Sequence, residues 1–281
     1  MNPIKRIWAS LVAPWRVLFD HFPLIVQLVR QDIRVTYARS VLGLYWVVLL
    51  PLLYVLVFIG VRFVVLERGG DQWIPNQMAP ETTLWSAFAL TLGLLVFWLA
   101  SEILGRAPGI MQKHSSLVTE VKFPVEVLPW TVVGLSLFNF GIRFLLLVVM
   151  HFALLGVPVW ELALVPLAVV PLVVFMVGIA YLFAAVGAFL SDLEYVIQIL
   201  MTALLLMSGV LFPLTLVPEP YSALLYLNPI AFMIEEARKL ALDGQMPNLI
   251  GMALLMVVGL SLSMLGFLLF RRWQPRFSDV L

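Results

Sequence analysis

Six apolar segments of the chain are each about long enough to cross a lipid bilayer as an α-helix. Such a helix needs roughly 20 mostly apolar residues, and the segments cover residues 41–61, 84–104, 131–155, 162–190, 196–212 and 249–270. Charged residues make up 12% of the 281 residues, about half the share of a soluble domain. We therefore predict an all-α integral membrane protein with six transmembrane helices.

The whole chain, residues 1–281, is interpreted as one transmembrane domain. Residues 1–40 form a cytoplasmic or interfacial segment, residues 41–270 the six-helix membrane domain, and residues 271–281 a tail. Positive residues mark the cytoplasmic side of a membrane protein. They concentrate before the first span, between spans two and three and in the tail, so we expect both termini to be cytoplasmic.

Several classes of chemistry are absent from the sequence. The chain has no cysteine, which excludes thiol catalysis, and its net charge of +1 gives no electrostatic case for nucleic-acid binding. It has no Gly-x-x-x-x-Gly-Lys-Ser/Thr phosphate loop, and its histidines have no metal-ligand spacing. We therefore predict a protein that is not an enzyme and that holds no cofactor or metal itself.

Residues 22–37 are typical of an amphipathic helix that lies in the membrane interface. Apolar residues recur at helical spacing on one face, and polar residues form the other. The apolar face holds Phe22, Ile25, Val29 and Ile33, and the polar face Gln27, Arg30, Gln31 and Arg34. The sequence leaves two interpretations equally open, a helix that contacts a cytoplasmic partner and a plain interfacial anchor.

Residues 105–130 form the longest cytoplasmic loop of the predicted topology. In residues 116–129, charges alternate with bulky apolar residues, and Pro124 and Pro129 stiffen the chain. An ordinary connecting loop is the slightly favoured interpretation, and the alternative is a rigid lever that a partner protein pushes.

The segment between spans five and six, residues 213–248, is too long for a hairpin turn and too apolar for a free loop. Asn228 and Pro229 form a strong helix start. A pair of Glu235 with Lys239 and a stop at Gly244 are expected further along. With a second short helix over residues 220–227, this predicts a re-entrant outer hairpin, which favours a conduit.

Two features inside the spans allow opposing interpretations. Arg143 near the middle of span three, with Asn139 one turn away, forms either an anion site for a substrate phosphate or, as we favour, a structural hydrogen-bond network. Glu102 lies nearer the cytoplasm, so no direct pair with Arg143 is expected. Aromatic residues belong mostly to the core or the interfacial belt, but four of them could line a sugar path: Trp46, Tyr54, Phe58 and Phe212.

Four stretches, in the right order along the chain, resemble one family of membrane proteins. Residues 30–46 (RQDIRVTYARSVLGLYW) resemble the start of the first span in polysaccharide ABC-exporter permeases of the type-2 ABC exporter superfamily. Residues 117–129, with VKFPVEVLP, resemble their cytoplasmic loop. The Phe212-Pro213, Val217-Pro218 and Leu227-Asn228-Pro229 groups resemble their outer segment, and residues 270–281 resemble their C-terminal ending.

The resemblance implies a function in the bacterial inner membrane. A homodimer of permeases, driven by two copies of a cytoplasmic ATPase subunit that binds ATP and Mg, would export an undecaprenyl-linked O-antigen or capsule polysaccharide. Our own hypothesis is that spans one and five line the path of the glycan. It implies an outer gate at Asn228, Pro229 and Phe232. It also implies ATPase contacts at Arg30, Asp32, Arg34, Lys122, Phe123, Pro124 and Glu126.

Two alternatives stay open from the sequence. One keeps the fold but changes the cargo to a drug or small lipid. The other is a membrane-embedded glycan-modifying enzyme, which would need a catalytic acid such as Glu235, Glu236 or Asp243 on the outer face.

Overall fold

The computed structural model describes residues 3–38, 40–69, 80–118, 123–155, 160–211 and 225–279, and within these ranges the chain is helical with no strand. Short 3₁₀ turns occupy Val125–Val127, Trp160–Leu164 and Gln274–Asp279. The α-helices are α1 (Pro3–Asp20), α2 (Phe22–Ala38), α3 (Tyr45–Gly69), α4 (Pro80–Arg106), α5 (Ile110–Lys113), α6 (Ser115–Val118), α7 (Leu128–Leu155), α8 (Val165–Ala168), α9 (Val170–Gly187), α10 (Leu193–Met207), α11 (Pro229–Asp243) and α12 (Leu249–Trp273).

Four stretches of the described chain are long and apolar enough to cross a membrane. They are Ser86–Arg106, Val125–Ala153, Trp160–Gly187 and Leu249–Phe277, and they coincide with the predicted second, third, fourth and sixth spans. Shorter apolar helices, Tyr45–Val57 and Leu193–Met207, stand at the predicted first and fifth spans. The all-helical membrane fold is therefore confirmed, and the count of six spans stays a prediction.

Helix α4 lies at the centre of the bundle, in contact with α3, α7, α9, α10 and α11. Apolar residues cover all its sides, and Leu92, Leu99, Ala100 and Ile103 are fully buried. A helix that is hydrophobic all round is buried among its neighbours, so α4 supplies the scaffold on which the other spans pack.

Helices α9 and α12 form the closest helix pair, through glycines that let the backbones approach. A Cβ atom added to Gly266 would lie 2.5 Å from the carbonyl oxygen of Gly178, and one added to Gly259 would lie 2.8 Å from the backbone nitrogen of Phe175. Small residues at the points of contact are the usual means of packing helices in a membrane, where no hydrophobic effect draws the helices together.

The predicted amphipathic helix is confirmed as α2, but its buried face differs from the prediction. Ile25, Leu28 and Asp32 are buried, because α2 packs against α7 and α1, whereas Phe22 is exposed. The preceding α1 also joins this end of the bundle, since the indole nitrogen of Trp130 donates to the carbonyl of Pro14 at 2.9 Å. Residues 3–38 thus form a helical layer on the bundle.

The predicted helix after Asn228 is confirmed as α11. The side chain of Asn228 accepts from the backbone nitrogen of Ile230, Pro229 occupies the first turn, and Gly244 ends the helix with a φ of 61°. The predicted short helix over residues 220–227 lies mostly outside the described residues, so the re-entrant hairpin stays a prediction.

Candidate functional site

An ion pair between two spans stands at the centre of a buried polar network. Nη2 of Arg143 on α7 donates to Oε1 of Glu102 on α4 at 2.5 Å. The two side chains are 9% and 14% exposed. The expectation that no direct pair forms was therefore wrong.

The axial offset of the two helices explains the pair. Arg143 lies about 22 Å along α7 from its start, and Glu102 lies about 6 Å from the end of α4, at about 1.5 Å per residue. The start of α7 packs against α2, since a Cβ added to Gly134 would lie 2.9 Å from the Val29 side chain. It therefore extends beyond the end of α4, and Arg143 and Glu102 meet at one level.

Asn139 and Tyr37 extend this network to the interfacial helix. The Nδ2 amide of Asn139 donates to Oε2 of Glu102 at 2.8 Å, and its Oδ1 accepts from the Tyr37 hydroxyl at 3.0 Å. Burial, and then the negative charge of Glu102, raise the pKa of Tyr37 above its usual value. The phenol therefore stays protonated and able to donate, and α2 is bonded to α7 and through it to α4.

Two aromatic residues continue the network to α3. The Arg143 guanidinium lies 4.9 Å from the ring centre of Trp98, a cation–π contact, and the Tyr54 ring meets Trp98 edge-on at 5.4 Å. Nε and Nη1 of Arg143 have no hydrogen-bond partner among the described residues. Glu102 balances the charge of Arg143, as in an interhelical network, and an anion site there stays a prediction.

A second set of bonds joins α2 to the loop after α4. The Asp32 carboxylate lies 2.7 Å from Nζ of Lys113 and 3.6 Å from Nε2 of His114. Burial raises the pKa of Asp32, but the hydrogen bonds and charges of His114 and Lys113 outweigh it, and the net pKa lies below the usual value. Asp32, predicted as an ATPase contact, is buried and bonded within the chain, whereas Arg30 and Arg34 are exposed.

The segment at Phe123–Glu126 is fixed against the membrane helices. The Glu126 carboxylate lies 3.3 Å from Nε of Arg271 on α12, and its backbone carbonyl accepts from the Tyr181 hydroxyl of α9 at 2.8 Å. Phe123 is partly buried against the core, and Pro124 leads into the 3₁₀ turn. The predicted contact Lys122 lies outside the described residues.

At the other end of the bundle, Arg238 on α11 caps the end of α10. Its guanidinium donates to the carbonyls of Gly209 at 2.7 Å, Val210 at 2.8 Å and Ala89 at 3.2 Å. The absence of a side chain at Gly93 makes room, since a Cβ there would lie 2.8 Å from Arg238. Helices α10 and α11 therefore depend on each other through one side chain.

The acids of α11 are paired, though not as predicted. Lys239 pairs with Glu236 at 2.7 Å, and Glu235 lies 3.4 Å from Arg238. The expected pair of Glu235 with Lys239 was wrong because Glu235 shares the buried side of α11 with Arg238. Glu236 also accepts from the backbone nitrogen of Asn248 at 2.5 Å, which joins α11 to the start of α12.

The remaining predicted residues occupy two regions. Trp46 and Tyr54 lie on α3 with side chains 38% and 46% exposed, and the indole of Trp46 donates to Ser40 at 2.9 Å. Phe232 packs against Gly251 of α12. Phe58 lies on α3, but its side chain is outside the described part of the structure, as is the whole of Phe212.

Sequence reasoning missed Glu102, Tyr37 and Arg238 as bonded residues. One available signal was that polar residues in apolar membrane helices usually pair with one another. Trp98 with Glu102, and Asn139 with Arg143, repeat at i, i+4 on two spans, which marks a polar side on each helix. Arg238 gave no signal, because its partners are backbone carbonyls.

Comparison with known proteins gives consistent results. A family model described as ABC-2 type transporter matches residues 23–242. The chain is 28% identical over 236 residues to the O-antigen export system permease protein RfbA of Myxococcus xanthus, covering 83% of this chain and 85% of that protein. It is 26% identical to an RfbA permease of Klebsiella pneumoniae, covering 92% and 95% of the two chains. It is 24% identical to the polysialic acid transport protein KpsM of Escherichia coli, covering 86% and 90%.

Proposed function

The chain belongs to the ABC-2 type transporter family, and on that premise we propose that it is the permease subunit of an exporter for a lipid-linked polysaccharide. Two copies would form the channel in the inner membrane, with both termini in the cytoplasm. Two copies of a separate ATPase subunit, which binds ATP and Mg, would drive the transport. The cargo would be an O-antigen or capsule type of glycan on an undecaprenyl carrier.

The cargo is inferred from relatives that match over most of their length. Two are named O-antigen export permeases and one a polysialic acid transport protein. O-antigen and polysialic acid are both long glycans. A glycan cargo also suits the exposed aromatic side chains of α3, since an aromatic face matches the apolar face of a sugar ring.

The observation that carries the transport mechanism is the double attachment of α2. Asp32 bonds it to Lys113 in the loop after α4, and Tyr37 bonds it to Asn139 on α7. Between these two points Arg34 is exposed to the cytoplasmic side of the predicted topology. A force that an ATPase applies at Arg30 and Arg34 would reach Glu102 and Arg143, and through Trp98 the aromatic residues of α3.

Vesicle transport with the purified complex tests the proposal. The permease and the ATPase subunit that co-purifies with it are reconstituted together, and ATP-dependent movement of lipid-linked glycan is measured. We expect transport of the glycan and none of small hydrophobic drugs. Transport of the drugs with no effect of glycan would overturn the cargo assignment.

A charge reversal on α2 tests the contact with the ATPase. Arg34→Glu is expected to reduce co-purification of the ATPase by tenfold or more, since it replaces attraction by repulsion. Arg16→Glu, the same change at an exposed residue of α1, is the matched control. Equal losses in both variants, or none in either, would remove α2 from the interface.

A further inference from the structure

A polar cavity lies where α2 meets the ends of α4, α7 and α10. Its volume is about 320 Å³, and its lining combines charged with apolar side chains. The charged ones are Asp32, Arg106, Lys113 and Glu194, and Val132 and Leu135 of α7 are among the apolar ones.

Two of the four charged side chains in this cavity pair with each other, and the other two do not. Asp32 and Lys113 neutralise each other at 2.7 Å. The side chains of Arg106 and Glu194, in contrast, form no hydrogen bond or ion pair with any described residue. The cavity therefore offers one guanidinium and one carboxylate to a ligand, and its total charge is balanced.

The position of the cavity points to a lipid. Helix α2 is amphipathic and precedes the first predicted span, so the cavity beside it lies at the level of the headgroups. At about 320 Å³ it falls at the lower end of the range of ligand sites, roughly 300–1,000 Å³. It has room for a headgroup but not for a glycan chain.

We propose that this cavity binds the headgroup of a zwitterionic phospholipid with a primary ammonium group, phosphatidylethanolamine. The phosphate accepts from the planar guanidinium of Arg106, which suits its oxygens. The ammonium donates to the Glu194 carboxylate, a bond that the quaternary ammonium of phosphatidylcholine cannot form. Phosphatidylglycerol has the same phosphate but offers Glu194 only neutral hydroxyl donors, with no positive charge to balance the carboxylate.

Native mass spectrometry of the full chain, purified in detergent with equal amounts of the three lipids, tests this first without any substitution. We expect phosphatidylethanolamine to be retained about tenfold over phosphatidylcholine and phosphatidylglycerol, the ratio expected for one charge-assisted hydrogen bond. Soluble glycerophosphoethanolamine should displace it, and inorganic phosphate should not. Equal retention of the three lipids, a preference for phosphatidylglycerol, or displacement by phosphate alone would overturn the proposal.

Two matched pairs of variants locate the site. Glu194→Gln should abolish the preference, and Arg106→Gln should lower the retention of all three lipids, since all three contain the phosphate. Arg272→Gln removes a base at a second cavity near the C-terminus, and Asp192→Asn removes an acid two residues before Glu194; both should keep the retention and the preference. A preference that survives in Glu194→Gln, or retention that is unchanged in Arg106→Gln, would place the lipid elsewhere and overturn the assignment.

Discussion

The hydroxyl of Tyr37, at the end of α2, donates to Oδ1 of Asn139 on α7 at 3.0 Å, and the other end of the same amide donates to Glu102 on α4 at 2.8 Å. One asparagine thus joins the interfacial helix to two spans. Removing one member of a buried polar network leaves its partners unbonded, which is costly. The network therefore connects the membrane surface to the bundle through bonds that are expensive to break.

Arg143→Met is expected to destabilise the protein strongly, because it leaves the Glu102 charge buried without its partner. Breaking a buried pair on one side costs about 3–5 kcal/mol. Thermal unfolding in detergent measures the loss. The double variant Glu102→Gln with Arg143→Met should lose less than the sum of the two single variants, and strictly additive losses would mean that the pair does not couple the helices.

Acid should weaken the attachment of α2 through Asp32. Because the folded-state pKa of Asp32 is lowered, its contribution to stability is complete above its ordinary pKa and is lost as the pH falls through the lowered value. Asp32→Asn should cost about 1.5–3 kcal/mol at neutral pH, the usual value for a hydrogen bond to a charged group. Unfolding midpoints between pH 3 and 7 measure it, and the variant should lose part of the acid dependence below about pH 4. If the unfolding midpoint of Asp32→Asn falls with acid as steeply as that of the unmodified protein, the assignment is contradicted.

Gly266→Val should disrupt the packing of α9 on α12. Its first side-chain carbon would lie 2.5 Å from the Gly178 carbonyl oxygen, which belongs to the backbone and cannot turn aside. Overpacking of this kind costs about 1–3 kcal/mol, and the unfolding temperature and the yield of folded protein should both fall. Gly141→Ala is the control, since nothing lies within 4 Å of its added carbon. If both variants behave alike, close packing at Gly266 is not a source of stability.

Arg238→Gln should free the end of α10. The shorter amide cannot reach the carbonyls of Gly209, Val210 and Ala89 together. The buried carbonyls of Gly209 and Val210 then lose this donor, which costs about 1–3 kcal/mol each. Hydrogen exchange of residues 208–211 should rise while that of α4 changes little. Lys239→Gln, which removes a partly exposed base of the same helix, should leave these residues protected. Equal exchange in both variants would show that Arg238 does not hold α10.

The sequence predicted the parts of this structure that depend on local pattern. The start of α11 at Asn228 and its end at Gly244 each depend on one or two neighbouring residues. The length of the apolar segments alone predicts α4 and α12. The pair of Glu102 and Arg143 was missed because it depends on the axial offset of two helices, which no local pattern records. Asp32 was predicted as an ATPase contact, and its burial was missed for a similar reason, since the face that α2 buries is set by its packing on α7.

The last prediction separates two roles for Glu126, whose carboxylate lies 3.3 Å from Arg271 with the arginine side chain 61% exposed. The Glu126 side chain is 18% exposed, and solvent around the arginine weakens the pair, so the carboxylate can exchange Arg271 for a positively charged partner. Glu126→Ala and Phe123→Ala should therefore reduce ATPase co-purification and substrate-stimulated turnover, while membrane insertion stays the same. Arg271→Ala breaks the same ion pair from the other side and should leave co-purification unchanged. If Arg271→Ala reproduces the loss, Glu126 acts through α12 and not on the ATPase; if Glu126→Ala and Phe123→Ala both have no effect, the loop lies outside the interface.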